Sequence, residues 1–571
     1  MSDYNEALRL DSAQATTYSN RGLIFAVRKD YDRAIQDYNE AIRLDPKYGI
    51  AHYNRGLAYA NKSDYDRAVS DYTRAIDLNA ELKDSYFNRG NAYYNKKDYE
   101  RAASDYSQSL RHDDRYAIAY NNRGLSYDAQ KDYDRAIDDF NAAIKINPVY
   151  DTAYRNRADS YSAKKDYDRT IADYSEAIRI KPDDASYRAD RAAAYHSKRD
   201  YDRAITDYGE AIRINARVAS YHDGRANAYF AKRDYDRAVT DYSEAIRIDP
   251  SVAGYWIDRG RSYYNKRDYD RAIADYSEAI KINPQLASAY DNRGNAYNAK
   301  EEYDRAIADY EEALRINPKS ATANNNRGVA YINKGEHEKA IDAYTAAIAL
   351  SPSYATAFHN RGDAHAARGD FDRAIADYSE AIKHNPSRAV FFSDRAFAYA
   401  VTNDLAKAQA DYGEAIKLDS KADWIYRYRS IVNLYNGQAP RALADITQAG
   451  DLDPKDAFNA LWIDIIGQRN GLASRLSAAV PQFDMTKWPA PLVRLYLGQL
   501  TPAAVLASID ERAPATKKRQ TCQANFFGGV HALRQNSNAE ARRLLQLATE
   551  GCNKDTLEWL AATAELKALA R

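Results

Sequence analysis

Apolar positions in this chain return in a fixed 34-residue frame, shown most plainly by Asp268 to Pro284, DYDRAIADYSEAIKINP. Ala, Ile and Tyr recur there every three or four residues, with Asp, Arg, Glu and Lys between them. That spacing predicts an amphipathic helix. Tyr269 has counterparts at Tyr31, Tyr65, Tyr99, Tyr133, Tyr167, Tyr201, Tyr235 and Tyr303, and the phase continues through His337, Phe371, Leu405 and Ala439. Thirteen copies follow one another without insertion or deletion. A constant period of this size predicts an all-α solenoid of stacked helical hairpins, with function on a surface.

The units run 15–48, 49–82 and onward to 423–456, the last divergent; numbering each from 1 to 34 exposes its chemistry. Position 8 is Gly in eight copies and Ala in four, position 20 is Ala in all but Thr170, and position 27 is Ala in all but Ser109. Position 11 is Tyr in ten copies, position 24 is almost always Tyr, and position 32 is Pro in nine. Positions 4, 8 and 11 share one face of a first helix, and 20, 24 and 27 share one face of a second. Small residues at 8 and 20 predict close backbone approach, with Tyr filling the space around them. Asp at position 16, as at Asp30 and Asp268, predicts an N-cap for the second helix, and Pro at 32 predicts its stop.

This skeleton resembles the tetratricopeptide repeat over about residues 3–456, which implies a right-handed superhelical solenoid. One departure stands out: position 7, where that family usually has Leu, is Arg in all thirteen units. Position 23 is Asp in twelve, Ala343 being the exception. Arg21 with Asp37, Arg259 with Asp275 and Arg293 with Asp309 are therefore expected to pair as a semi-buried ladder that fixes register.

The two ends break the frame. Asp3 to Asp11 matches Asp37 to Asp45, so residues 1–14 read as a truncated half repeat, and an upstream segment is expected to be missing. Residues 457–521 read as a divergent hairpin, 457–480, with helices opening at Pro491 and after Thr501, and a polar loop at 513–520. Residues 522–571 read as a terminal hairpin in shifted phase, with Gly529, Ala541 and Ala548 at positions 8, 20 and 27, plus a capping helix from Asp555 to Ala570. The block WPAPLVRLYLGQLTPAAV … CQANFFGGVHAL … EWLAATAELKAL, within roughly residues 457–571, resembles the C-terminal region of bacterial NlpI-type tetratricopeptide lipoproteins. That resemblance implies an envelope adaptor, although the family's lipobox and signal peptide have no counterpart here.

Lys plus Arg and Asp plus Glu both number 82, so no basic excess points to nucleic acid. No apolar run approaches the ~18 residues that span a bilayer, and the first residues lack a signal-peptide pattern. The chain as written is therefore expected to be soluble and cytoplasmic, or periplasmic if an upstream signal was lost and Cys522 and Cys552 are bridged. Cys522 and Cys552 take neighbouring ends of the last hairpin, and both a disulfide and two free thiols are open. The nine histidines show no paired metal spacing, and no phosphate loop, HExxH or nucleophile triad is present. No enzyme activity, cofactor or metal is expected.

The first-helix face is the candidate binding surface. Position 6 is Asn in eight units: Asn20, Asn54, Asn88, Asn122, Asn156, Asn292, Asn326 and Asn360. A carboxamide both donates and accepts, so such a row suits the backbone of an extended peptide. It resembles the asparagine ladder in the tetratricopeptide region of O-GlcNAc transferase. Phe87, Asn91, Tyr94, Phe230 and Tyr264 stand near it as side-chain pockets, and the carboxylate-clamp pattern of chaperone receptors is absent. The expected function is a scaffold binding extended protein segments. The alternatives are a targeting arm whose catalytic partner lies elsewhere, and an array that self-associates through its open N-terminal half repeat.

Overall fold

The computed structural model describes residues 1–510 and 513–570, which form two compact units, Met1–Asp268 and Tyr269–Arg571. The described residues contain helices and no strand. Each repeat is a helical hairpin, for example Gly49–Asn61 followed by Tyr65–Asp77, and the thirteen repeats build an α-solenoid.

The hairpin turn has one recurrent device. Position 15 is left-handed in all thirteen units, at φ 61° in Lys29 and 64° in Lys131, with glycine there only at Gly335, Gly369 and Gly437. The Asp30 N–H then reaches back to the Phe25 carbonyl at 2.9 Å, and Asp64 to Tyr59 likewise, closing the first helix as a Schellman turn. Asp30 at once becomes the cap of the second helix, accepting from the Arg33 N–H at 3.3 Å. That helix ends before position 31, where Asp45 bonds the Lys47 N–H at 2.9 Å and starts the next unit.

Packing follows from the small positions. The ring of Tyr72 lies flat on Gly56, so that a Cβ there would stand 2.9 Å from Tyr72 Cε1. Ala68 and Ala75, positions 20 and 27 of the same unit, are wholly buried.

Arg at position 7 does more than bridge its own hairpin. Arg123 Nη2 meets Asp139 Oδ1 at 2.7 Å, and its Nη1 donates to Ser107 Oγ of the preceding unit at 2.9 Å. Arg21 with Asp37 and Arg293 with Asp309 show the same 2.7 Å contact, and Arg89 repeats both links through Asp105 and Thr73. Tyr120, one turn earlier, covers the Arg123 guanidinium at 5.4 Å. Where the preceding repeat offers Ser, Thr or Asn, as for Arg89, Arg123 and Arg361, the arginine is thus a staple between two second helices, a role the Arg–Asp spacing alone did not reveal; Gly209 and Gly413 offer Arg225 and Arg429 no such acceptor. Arg259 and Asp275 fall on either side of the boundary between the two units.

The C-terminal region departs from expectation in two places. Residues 457–480 give one full helix, Ala457–Arg469, and then only the short Leu476–Ala479. The face that a second helix would cover is taken instead by Phe526 and Phe527, whose rings lie 5.5 and 6.0 Å from Trp462. The stretch 513–520 is no loop: a helix runs Pro514–Arg534, across the expected 521/522 boundary. Its polarity is that of an exposed first turn with Pro at N1, made of strong helix formers. Cys522 and Cys552 are joined in a disulfide, and helix Leu557–Leu569 follows. No helix among the described residues is long and apolar enough to cross a membrane.

Candidate functional site

The first helices of successive units are laced by their position-5 and position-6 side chains. Asn88 Nδ2 donates to the Tyr53 hydroxyl at 3.1 Å, and Asn156 Nδ2 to Asn121 Oδ1 at 2.9 Å. In the second unit, Asn326 reaches Asp291 at 3.3 Å and Asn360 reaches Asn325 at 3.0 Å. Asn122 bonds Asn91 at 3.1 Å, and Asn91 also accepts from the Tyr106 hydroxyl at 2.7 Å. The amide row is therefore oriented from within. Asn20 is exposed, and Asn54 and Asn292 are half-buried in the same frame.

The expected aromatics divide. Phe87 is held between Tyr106 and Tyr116 at ring distances of 5.7 and 4.9 Å, which makes it part of the packing within its own repeat. Tyr94 and Phe230 are half-buried and meet Tyr99 and Tyr235 edge-on at 5.3 and 5.5 Å. The Arg261 guanidinium lies over Phe230 at 4.9 Å. Tyr264 is half-buried.

Sequence reasoning missed an acidic stripe within the first compact unit. Asp128, Asp159, Asp190, Asp223 and Asp258 occupy positions 12, 9, 6, 5 and 6 of successive repeats, all on the first-helix face. Burial pushes Asp190 up to about 6, and the Asp159 and Asp184 charges work with it against Arg155. Arg155 stands 3.7 Å away, an ion pair without a hydrogen bond, and Asp190 Oδ2 has no hydrogen-bond partner. Burial, and then Asp258, push Asp223 up to about 6 as well. The signal was present in the sequence as the run Asp190, Gly224, Asp258 that interrupts the asparagines.

In the second unit His359, Asp363 and Asp394 converge on the same face, beside a cavity of about 260 Å³. Leu560 of the terminal helix packs against the neighbouring Ala366–Phe371 and Ala396–Tyr412 clusters, so the C-terminal segment covers this stretch.

Arrays of hairpins with buried Ala and Tyr at these positions define a class, and the comparisons name it. Tetratricopeptide repeat models match residues 49–81, 117–150 and 355–388, 155–219 and 224–287, and 84–116. A TPR repeat model matches 24–63, 294–335 and 330–369. Together these matches cover more than half of the chain, which belongs to the tetratricopeptide repeat family, whose members mediate protein–protein interaction. No curated protein matches the sequence. Among solved structures the chain is similar to the APC/C hetero-tetramer Cut9-Hcn1, at 13% identity over 77% of this chain and 94% of that one, TM-score 0.36. It is similar to yeast Tom70 at 17% identity over 65% and 91%, TM-score 0.34. YrrB, a TPR protein with an unusual peptide-binding site, is 23% identical over 33% and 96%, TM-score 0.29.

Proposed function

We propose that the chain is a non-enzymatic scaffold whose first-helix face holds extended protein segments. The observation that supports this reading is the row of position-6 carboxamides. Asn88, Asn156, Asn326 and Asn360 each spend Nδ2 on the preceding unit, which fixes the plane of the amide and leaves Oδ1 to accept a backbone N–H. A main-chain contact repeated at each unit binds an extended segment with little regard to its side chains. Along Asp159 to Asp258 the face adds a preference, because carboxylates whose pKa burial raises gain from a lysine or arginine of the bound segment. The Cys522–Cys552 bond supports placing this scaffold in an oxidising compartment.

Peptide-phage selection on the full chain tests the reading, followed by affinity measurement with the selected peptides. Three lost hydrogen bonds at about 0.5–1.5 kcal/mol each predict that Asn88→Ala, Asn122→Ala and Asn156→Ala together weaken binding at least tenfold. Selected peptides should be rich in Lys and Arg. Affinity unchanged in the triple variant refutes the amide row as the contact.

A further inference from the structure

Nothing in the repeat frame calls for His359, Asp363 and Asp394 to meet. His359 and Asp363 stand one turn apart on helix Ala355–Ala367, and Asp394 comes from the next first helix, Ala389–Val401. His359 Nε2 lies 2.7 Å from Asp394 Oδ2, and its Nδ1 lies 3.5 Å from Asp363 Oδ2. One donor atom from each residue falls within 4.8 Å of the other two. Ligands about 2.1 Å from a shared cation stand roughly 3 to 4 Å apart, so this set needs only a small closure. The imidazole is held by Phe391 and Tyr378 at ring distances of 4.7 and 5.6 Å. Tyr378 also donates to Asp363 Oδ1 at 2.8 Å, which orients that carboxylate.

The surroundings are short of positive charge. Asp555, from the segment that leads into the terminal helix, lines the same cavity as Asp363 and Asp394. Of the nearby cations, Arg427 is engaged by Asp456, and Lys554 runs along Gly369, where an added Cβ would meet its Cδ at 3.1 Å. Among these groups His359 is the cation set between carboxylates. Asp394 stands 2.7 Å from its Nε2 and Asp363 3.5 Å from its Nδ1.

A buried hydroxyl close by lacks a partner. Tyr412 is 0% exposed, and its hydroxyl has no hydrogen-bond partner among the described residues. Its counterparts Tyr310 and Tyr378 donate to position 9, as Asn295 and Asp363, but in this unit position 9 is Phe397. The hydroxyl lies within electrostatic range of Tyr428 and Asp394, which line the cavity.

We propose that His359, Asp363 and Asp394 bind one divalent transition-metal cation of the Zn²⁺, Mn²⁺ or Co²⁺ class, with water in the cavity completing its shell. One imidazole nitrogen with two carboxylate oxygens suits these borderline ions better than Ca²⁺, which takes oxygen throughout. The cation takes the place of the proton on His359, and it clasps the first helices of two adjacent repeats. Binding therefore releases a proton and weakens as pH falls.

The test is calorimetric titration of the EDTA-stripped, dialysed full chain with ZnCl₂, MnCl₂ and CoCl₂. One saturable site is expected for at least one of them, and Asp363→Asn and Asp394→Asn should each weaken it by about tenfold or more. His112→Ala, which removes a histidine on a second helix away from the cluster, should leave it unchanged. Asp363 is 47% exposed, so its variant keeps the test valid even if His359→Ala fails to fold. Absence of one-to-one binding for all three ions, or affinity unaltered in Asp363→Asn, overturns the proposal.

Discussion

The one gap in the Arg–Asp ladder offers a gain-of-stability experiment. In the unit beginning at Ala321, position 23 is Ala343, 1% exposed, and Arg327 faces it. Arg327 Nε is buried without a partner, and Nη2 makes a 3.1 Å bond to Asn324 Oδ1. In the next unit the same guanidinium, Arg361, holds Asp377 at 2.8 and 2.7 Å, with side chains 20% and 9% exposed. Ala343→Asp should rebuild that pair. Breaking a buried pair costs about 3–5 kcal/mol, and Arg327 has already met its share of the desolvation. After discounting for the partial exposure of the arginine, a net gain of about 1–2 kcal/mol is expected, of the size set by a buried unsatisfied donor.

Global melting is a poor readout for a chain whose repeats open locally, so hydrogen exchange across Tyr331–Leu350 is the assay. A gain of about 1.4 kcal/mol slows exchange roughly tenfold there and leaves Gly49–Asp77 unaffected. The gain should vanish in the Arg327→Ala background, and Asp377→Ala should speed exchange in its own unit. Exchange that is unchanged or faster in Ala343→Asp would show that the pairs add nothing beyond register, and the staple argument would fail.

Three further outcomes follow from particular residues. Arg199, at φ 62°, holds a left-handed turn that glycine adopts without strain, so Arg199→Gly should stabilise its hairpin by about 0.5–1 kcal/mol in denaturant titration. Asp190 has a folded pKa above its unfolded value, so the folded state binds more protons between about pH 4 and 6 and stability falls as pH rises through that window. Asp190→Asn should accordingly raise stability at pH 7 by about 1 kcal/mol, after discounting for solvent, and lose that advantage by about pH 4. Reducing Cys522–Cys552, which closes a 30-residue separation, should destabilise the terminal hairpin by about 3 kcal/mol, read as faster exchange in Asn538–Gly551.

The sequence by itself determined the hairpin. Period, small residues at positions 8 and 20, the Asp30-type cap and the Pro stop act within a single repeat, where local physics leaves one solution. It also determined that Arg at 7 and Asp at 23 face one another, because both belong to one hairpin. Relations between repeats were decided only by the tertiary structure. The second bond from Arg123 to Ser107, the lacing of Asn156 to Asn121 and the convergence of Asp394 on His359 join residues from different units. Their register depends on how hairpins stack, and periodicity does not encode that. The C-terminal departures have the same cause: polarity at 513–520 suggests a loop because nothing local announces the partner, Trp462, that Phe526 and Phe527 of that helix go on to cover.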